Sequence, residues 1–372
     1  MEIISALDAH KFPVQELVLF ASSRSAGKKV PTPFGEVTIS LFSIEKAAKL
    51  DYVFCAVSGD FSLQYAKELA AVPNGPVVID NSSAFRRDPE IPLVIPEING
   101  HVLIPKDGKP PSKLIANPNC TTAIAAMALW PLHCEFGIKK LIVSTYQAAS
   151  GAGAAGMQEL SDGTKAFLAD EPVTYKVFLY PLPFNLIPQI DKFQDNGYTK
   201  EEMKVTWETR KIFDEPNLAV SCTAVRVPIM RAHSESLTIE TVKPVNLAIA
   251  REVLAKADGV DLVDVPEELL YPMPKTATKK FNIEAGRLRK SLVFGRHGLE
   301  LFVSGDQLLR GAALNAVLIA EFLENPRATP QFTKKRIGCT PSKDQQQVLV
   351  SLVAGVVIGV ASVVAFNLLK RH

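Results

Sequence analysis

The chain has 372 residues, 47% of them hydrophobic and 22% charged, enough to bury a substantial core and to form two domains with appendages. Its formal net charge is only +2 and both signs are interspersed, which excludes a strongly basic partner face for nucleic acid. The five cysteines (Cys55, Cys120, Cys134, Cys222, Cys339) are odd in number with no CxxC pair, so free thiols in a reducing compartment are expected, and no metal site.

Residues 1–12 mix Glu2, Asp8 and Lys11 into an apolar pattern, which no signal peptide does, and the first seven read as part of a helix. Residues 16–21, 36–41, 51–57 and 76–80 read as strands, with helices near 44–48 and 61–71 between them. That alternation predicts an α/β fold with a doubly wound parallel sheet. Next comes Asn117-Pro118-Asn119-Cys120-Thr121-Thr122. Pro118 keeps Asn117 extended, Asn119 is a good N-cap, and residues 121–130 (TTAIAAMALW) read as a buried helix. Cys120 then falls in the first turn, where unpaired N–H groups and the helix dipole favour a thiolate over a thiol of ordinary pKa about 8.5. A free cysteine is equally at home as a buried side chain at such a junction.

A short strand at 140–143 leads into Ser144-Thr145-Tyr146-Gln147-Ala148-Ala149-Ser150-Gly151-Ala152-Gly153, and residues 199–213 read as a helix. Longer alternating segments at 219–228 and 234–241 suit a mainly antiparallel sheet able to form a subunit interface. Residues 307–324 read as a final amphipathic helix, and residues 325–347 as a polar, Pro-containing linker. Residues 348–369 (VLVSLVAGVVIGVASVVAFNLL) carry no charge and are closed by Lys370, Arg371 and His372. As a helix they would span roughly 33 Å, enough for a hydrocarbon core of about 30 Å. A single C-terminal membrane helix is expected, with Ser351, Gly355 and Gly359 at helix-contact spacing. Lys334, Lys335, Arg336 and Lys343 outnumber the charges beyond the span, so a tail-anchored protein with its body in the cytosol is expected. Were the tail foreign to the gene, a soluble cytoplasmic or plastid protein is the alternative.

A cysteine with a distant histidine and an amide side chain is the pattern of thiol-based acyl chemistry. Further along lie Leu186-Ile187-Pro188-Gln189-Ile190-Asp191, Arg226-Val227-Pro228-Ile229-Met230-Arg231-Ala232-His233-Ser234-Glu235-Ser236 and Ser304-Gly305-Asp306-Gln307-Leu308-Leu309-Arg310-Gly311-Ala312-Ala313-Leu314-Asn315. With Asp80-Asn81-Ser82-Ser83-Ala84-Phe85-Arg86 and the Cys120 segment, these stand in the order found in the aspartate-β-semialdehyde dehydrogenase family, which the chain resembles from about residue 10 to residue 324.

The resemblance implies NADP-dependent reductive dephosphorylation of β-aspartyl phosphate to aspartate β-semialdehyde, in the pathway to lysine, methionine and threonine. It implies a dinucleotide-binding domain of residues 1–115 with 307–324, a catalytic and dimerisation domain of residues 116–306, and a homodimer or homotetramer. Acyl transfer through Cys120 needs an oxyanion stabiliser, a role that the N–H groups at the helix start and the Asn119 side chain suit; by the resemblance Cys120 matches the nucleophile, Gln147 the glutamine that orients substrate, and His233 the acid/base. Arg226 matches the residue that forks onto the substrate α-carboxylate, Glu201 and Lys204 the amino-group and phosphate contacts, and Arg86 a second phosphate holder. Ser22, Arg24 and Ser25 follow the 16–21 strand where an acidic residue would take a ribose hydroxyl, so a 2′-phosphate and hence NADP is expected. Ser58, Gly59, Ser150, Gly151 and Asn315 match further dinucleotide contacts.

One departure stands out. Family members open with a strand and a glycine-rich turn around the pyrophosphate, whereas this chain begins inside the helix that follows. The Gly151, Gly153, Gly156 spacing lies after the nucleophile and is not that fingerprint. Since the first strand is central in the order 3-2-1-4, two unpaired strand edges facing a gap are expected, with a late gene start as the cause and weak NADP(H) binding as the result. Two alternatives stay open: an N-acetyl-γ-glutamyl-phosphate reductase, and a membrane-tethered protein that keeps the fold for dimerisation alone.

Overall fold

A computed structural model describes residues 1–105, 112–326, 356–359 and 362–366. The chain divides into two compact units. Cys120–Gly311 forms the second, and Met1–Asn119 with the described chain from Ala312 onward forms the first.

The first unit begins with α1 (Glu2–Ala9), β1 (Leu17–Ala21), β2 (Lys29–Thr32), β3 (Gly35–Thr38) and β4 (Ser40–Leu41). It continues through α2 (Ile44–Ala47), β5 (Tyr52–Ala56), α3 (Gly59–Ala71), β6 (Val77–Asp80), α4 (Pro96–Asn99) and β7 (Leu114–Ala116). The second unit opens with α5 (Cys120–Phe136), β8 (Ile138–Gln147), α6 (Gly153–Leu168), α7 (Lys200–Phe213), β9 (Ala219–Arg226) and β10 (His233–Thr241). It closes with α8 (Leu247–Ala255), β11 (Val260–Leu262), α9 (Pro274–Ala277), β12 (Ile283–Lys290) and β13 (Gly298–Gly305). The chain then returns to the first unit with α10 (Leu314–Glu324), β14 (Val356–Gly359) and β15 (Ser362–Phe366).

In the first unit seven strands form one sheet, ordered β4-β1-β14-β15-β5-β6-β7. The pairs β1–β4, β5–β6 and β6–β7 are parallel, as strands alternating with helices require. β5 is apolar and buried for nearly its whole length, the pattern of a strand covered on both faces. The single strand expected over 36–41 is two pieces. Gly35, at φ +102°, turns β2 and β3 into a separate hairpin and leaves β4 to pair with β1.

The expected C-terminal membrane helix is overturned. Among the described residues no helix is long and apolar enough to cross a membrane. Two pieces of the apolar run are strands instead, β14 and β15, standing between β1 and β5; the rest of residues 348–369 lies outside the described residues. The expected gap in the sheet is overturned with it. β1 pairs parallel to β14 and antiparallel to β15, and β15 reaches β5 through Phe366 and Tyr52. The physical reason is that an uncharged, Val-rich run suits a strand in mid-sheet as well as it suits lipid, and β-branching favours the strand. The membrane partner and tail-anchored location rested on that helix and lose their basis.

The sheet of the second unit runs β11-β12-β13-β10-β8-β9. β10 is antiparallel to β8 and β13, and β12 to β13, while β8–β9 and β11–β12 are parallel. α5 is apolar on every side and almost wholly buried against this sheet, α7 and α8, the mark of a core helix. Strand alternation on β8 sends Leu141, Val143, Thr145 and Gln147 to the buried face and Ile142 and Tyr146 outward.

α7 is started by a capping box. Thr199 Oγ1 accepts the Glu202 N–H, and Glu202 Oε2 accepts the Thr199 N–H at 2.6 Å. Glu202 Oε1 also takes the Ala224 N–H of β9 at 2.9 Å, which ties the helix to the sheet. Thr199→Ala is therefore expected to lower stability by about 1–2 kcal/mol, read as a fall in the urea midpoint at unchanged slope. An unchanged midpoint would show that the cap contributes nothing.

Candidate active site

Three adjacent strands of the second unit end level with one another, and a polar cluster stands on those ends. Gln147 closes β8 opposite Arg226, which closes β9. Ser234 lies opposite Tyr146, so His233 at the start of β10 falls beside Gln147. All three side chains are buried, His233 fully.

Arg226 carries its charge into this pocket at 7% exposure. Its Nη1 donates to Ala148 O at 2.6 Å and its guanidinium carbon lies 5.8 Å from the centre of the Phe178 ring. Burial pulls its pKa down, against the opposing pull of Cys120 and Glu201. Gly151 leaves room for the group. A Cβ there would stand 2.7 Å from Arg226 Nη1 and 3.2 Å from His233 Nε2.

His233 Nδ1 accepts the Ala148 N–H at 3.0 Å. A backbone N–H can only donate, so the proton of the neutral ring sits on Nε2. Burial first, and then the Arg226 charge, pull the His233 pKa down to about 3, so the ring is neutral at physiological pH. Its Nε2 is buried with no hydrogen-bond partner among the described residues.

Gln147 Oε1 accepts from Thr145 Oγ1 at 3.1 Å, which leaves Nε2 to donate to Glu201 Oε1 at 3.2 Å. Glu201 Oε2 holds Lys204 Nζ at 2.9 Å, and Asp191 Oδ2 holds the same nitrogen at 2.9 Å. At 8% and 15% side-chain exposure, Glu201 and Lys204 are no solvated surface pair. Burial opposes the Lys204 charge, yet Glu201 and Asp191 outweigh it and raise its pKa.

Cys120 is the first residue of α5 and only partly buried, whereas Cys55, Cys134 and Cys222 are buried. Burial pushes the Cys55 and Cys222 thiols well up, which makes them poor nucleophiles. Gly311 packs on Cys120 so closely that a Cβ would meet Cys120 Cβ at 2.7 Å and Cα at 2.9 Å. Gly311 lies in a single π turn, Leu309–Ala313, so the helix expected from residue 307 becomes regular only at Leu314.

The other expected site residues are distributed as follows. Ser150 and Gly151 lie in the second unit beside Arg226 and His233, with the Ser150 N–H donated to Met230 O at 3.1 Å. Arg86, in the first unit, is buried and donates from Nε to Asn117 O and from Nη2 to Asn81 O, both at 2.8 Å. Asn315 is fully buried and its amide donates to Val94 O at 2.9 Å and Asn117 Oδ1 at 2.6 Å. Both thus brace the loop that delivers Asn119, itself buried, to Cys120. Ser58 caps α3 through the Phe61 N–H and Gly59 opens that helix. Ser22, Arg24 and Ser25 occupy the turn after β1, with Ser22 and Arg24 exposed. Sequence reasoning passed over Asp191, Thr145 and Gly311. All three sit inside the quoted motifs, but only the fold reveals what they touch.

A dinucleotide-type α/β unit joined to a unit with a helix-start cysteine, a buried arginine and a neutral histidine defines the semialdehyde dehydrogenase class. Residues 1–104 match the family model "Semialdehyde dehydrogenase, NAD binding domain", and residues 129–310 match "Semialdehyde dehydrogenase, dimerisation domain". Within that class the chain belongs to the aspartate-semialdehyde dehydrogenase family. It is 44% identical over 324 residues to the aspartate-semialdehyde dehydrogenase of Aquifex aeolicus, covering 86% of this chain and 93% of that one. It is 42% identical over 331 residues to the Bacillus subtilis enzyme of the same name, covering 87% and 93%. Among solved structures, aspartate semialdehyde dehydrogenase II of Vibrio cholerae complexed with ASA superposes with a TM-score of 0.81 at 38% identity, covering 86% of this chain and 93% of that one.

Two predictions follow from this geometry. Gly311→Ala is expected to slow iodoacetamide alkylation of Cys120 by about 10-fold or more, since the nucleophile must shift to clear the added methyl group. Peptide mapping by mass spectrometry reads this, and an unchanged rate would show that the contact does not position the thiol. The second concerns pH. His233 has a folded pKa of about 3, against about 6.5 unfolded. Below pH 6.5 the unfolded chain binds a proton that the folded one does not, so His233 reduces stability as pH falls, by about 1.4 kcal/mol per unit. Urea unfolding between pH 7 and 5 should fall less steeply for His233→Asn than for the parent; equal slopes would refute a neutral buried imidazole.

Proposed function

We propose that the chain catalyses the NADP-dependent reductive dephosphorylation of β-aspartyl phosphate to aspartate β-semialdehyde, a step toward lysine, methionine and threonine. One observation carries the reading: a buried forked guanidinium, a glutamine tied to a Glu–Lys pair, and an Nε2-protonated histidine share one set of strand ends.

Arg226 offers two parallel N–H donors to the substrate α-carboxylate, and burial strengthens that contact. Glu201 takes the substrate ammonium, and Lys204, held by Glu201 and Asp191, faces its phosphate. Arg86 serves as a second phosphate contact, and Gln147 orients the carbonyl. A substrate with an acylated amine would leave Glu201 a buried carboxylate without an ammonium partner, which favours the aspartyl substrate over an N-acetyl-γ-glutamyl one.

Cys120 attacks the acyl phosphate, forming a C–S bond as the C–O bond to phosphate breaks, while backbone N–H groups at the start of α5 and the Asn119 amide stabilise the oxyanion. When bound, NADPH supplies hydride to the thioester carbon. His233 Nε2–H shares its proton with the resulting alkoxide in a hydrogen bond and keeps it as the C–S bond breaks and the aldehyde leaves. Ser22, Arg24 and Ser25, a turn of hydroxyls and one cation without a carboxylate, fit a ribose 2′-phosphate; Ser58, Gly59, Ser150 and Gly151 serve the remaining dinucleotide contacts.

The chain is an oligomer through its dimerisation domain. We assign the contact to the outer sheet face, where Ile142 and Tyr146 are exposed and the Tyr146 and Phe302 rings lie 6.0 Å apart, in a homodimer or homotetramer.

In the reverse assay, with semialdehyde, phosphate and NADP, Cys120→Ser is expected to abolish NADPH formation. His233→Ala is expected to slow it by about 10²–10⁴-fold. Parental rates in the folded Cys120 variant would end this reading.

A further inference from the structure

The residue before His233 is strained. Ala232 has φ +73°, a left-handed conformation that costs a non-glycine residue about 1–3 kcal/mol. Nine other non-glycine residues among those described have positive φ, and all of them are exposed; Ala232 alone is fully buried. Such a conformation persists only where the surroundings impose it, and here the imposing groups can be named. Gln307 is buried at 2% exposure, and its Oε1 accepts the Ala232 N–H at 2.9 Å. Because that N–H can only donate, the amide orientation is settled, and Nε2 donates to Ser150 Oγ. On the other side Arg231 Nε bonds the buried Asp306 Oδ2 at 2.6 Å.

We propose that Gln307 is a positioning residue for His233: its carbonyl oxygen holds the Ala232 N–H in the left-handed turn that aims the imidazole, and its amide ties that turn to Ser150. The turn sets the direction from which β10 departs, and His233 is the first residue of that strand. The ring is fixed at one further point, the Ala148 N–H on Nδ1. Ala148 and Ser150 belong to one short segment, so Gln307 locks the histidine backbone to the same loop that locks its ring. Without the Gln307 acceptor, Ala232 relaxes toward negative φ, and Nε2 leaves the direction that its tautomer prepares.

The inference rests on the acid/base role proposed for His233, and the experiment separates the two. Gln307→Leu, Gln307→Glu, Ala232→Gly/Gln307→Leu and His233→Ala are assayed in the full chain for kcat and KM. Loss of the acceptor in Gln307→Leu is expected to lower kcat by about 10–100-fold with KM for the semialdehyde changed less than about threefold. Gln307→Glu keeps an acceptor oxygen and is expected to stay within about threefold of the parental kcat. Glycine adopts φ +73° without strain, so the double variant should recover most of what Gln307→Leu loses. A folded Gln307→Leu protein with parental kcat overturns the proposal, as does a folded Gln307→Glu protein as slow as His233→Ala; the Glu comparison decides alone if Gln307→Leu does not fold. If His233→Ala itself turns over at the parental rate, the acid/base reading fails instead.

Discussion

The second unit is organised around a positive charge that has been taken out of water. Arg226 cannot give up its proton, so every group near it must accommodate a permanent cation at 7% exposure. The Ala148 carbonyl and the Phe178 ring do so directly, Glu201 does so at longer range, and Gly151 does so by having no side chain. His233 does so by remaining neutral, since the same charge and the same burial oppose a second proton. A histidine that cannot become a cation at rest, with its proton fixed on Nε2, is prepared to answer a negative charge that appears only during reaction. The charge that recognises a carboxylate and the neutrality that prepares proton transfer are thus two effects of one buried guanidinium.

Strand register does the placing. Gln147, Arg226 and His233 are far apart in the chain and meet because β8 pairs with β9 on one side and β10 on the other, all ending at the same level. Strand ends are stiff, and this stiffness keeps the polar cluster from rearranging to satisfy itself. Strain is admitted at one buried point, Ala232, and groups that are themselves buried and hydrogen-bonded hold it. A similar economy of space governs Cys120, whose backbone is covered by the bare Gly311 of a π turn.

In the first unit, burial of backbone groups is the governing requirement. A sheet interior cannot leave N–H and C=O groups unpaired, and β14 and β15 stand between β1 and β5 where open edges would otherwise face each other. The same requirement explains how an apolar run misleads. Lipid and the middle of a covered sheet both select sequences without charge, and hydrophobicity alone does not distinguish them.

Much of the arrangement was legible in the chain itself. Local rules determined the strand–helix alternation of residues 16–80, the helix start at Cys120, the helix over residues 199–213 and the family motifs that contain Gln147, Arg226 and His233, because each depends on neighbours a few residues away. Other features were settled by pairing across the chain. The tail entered a sheet and formed no membrane helix, Glu201 and Lys204 became a buried pair tied to Asp191, and Arg86 and Asn315 became braces for the Asn117 loop. Sequence carries the identity of such groups but not their partners. A carboxylate in water and one sealed against a lysine are the same letter, and only tertiary burial decides which of them the chain contains.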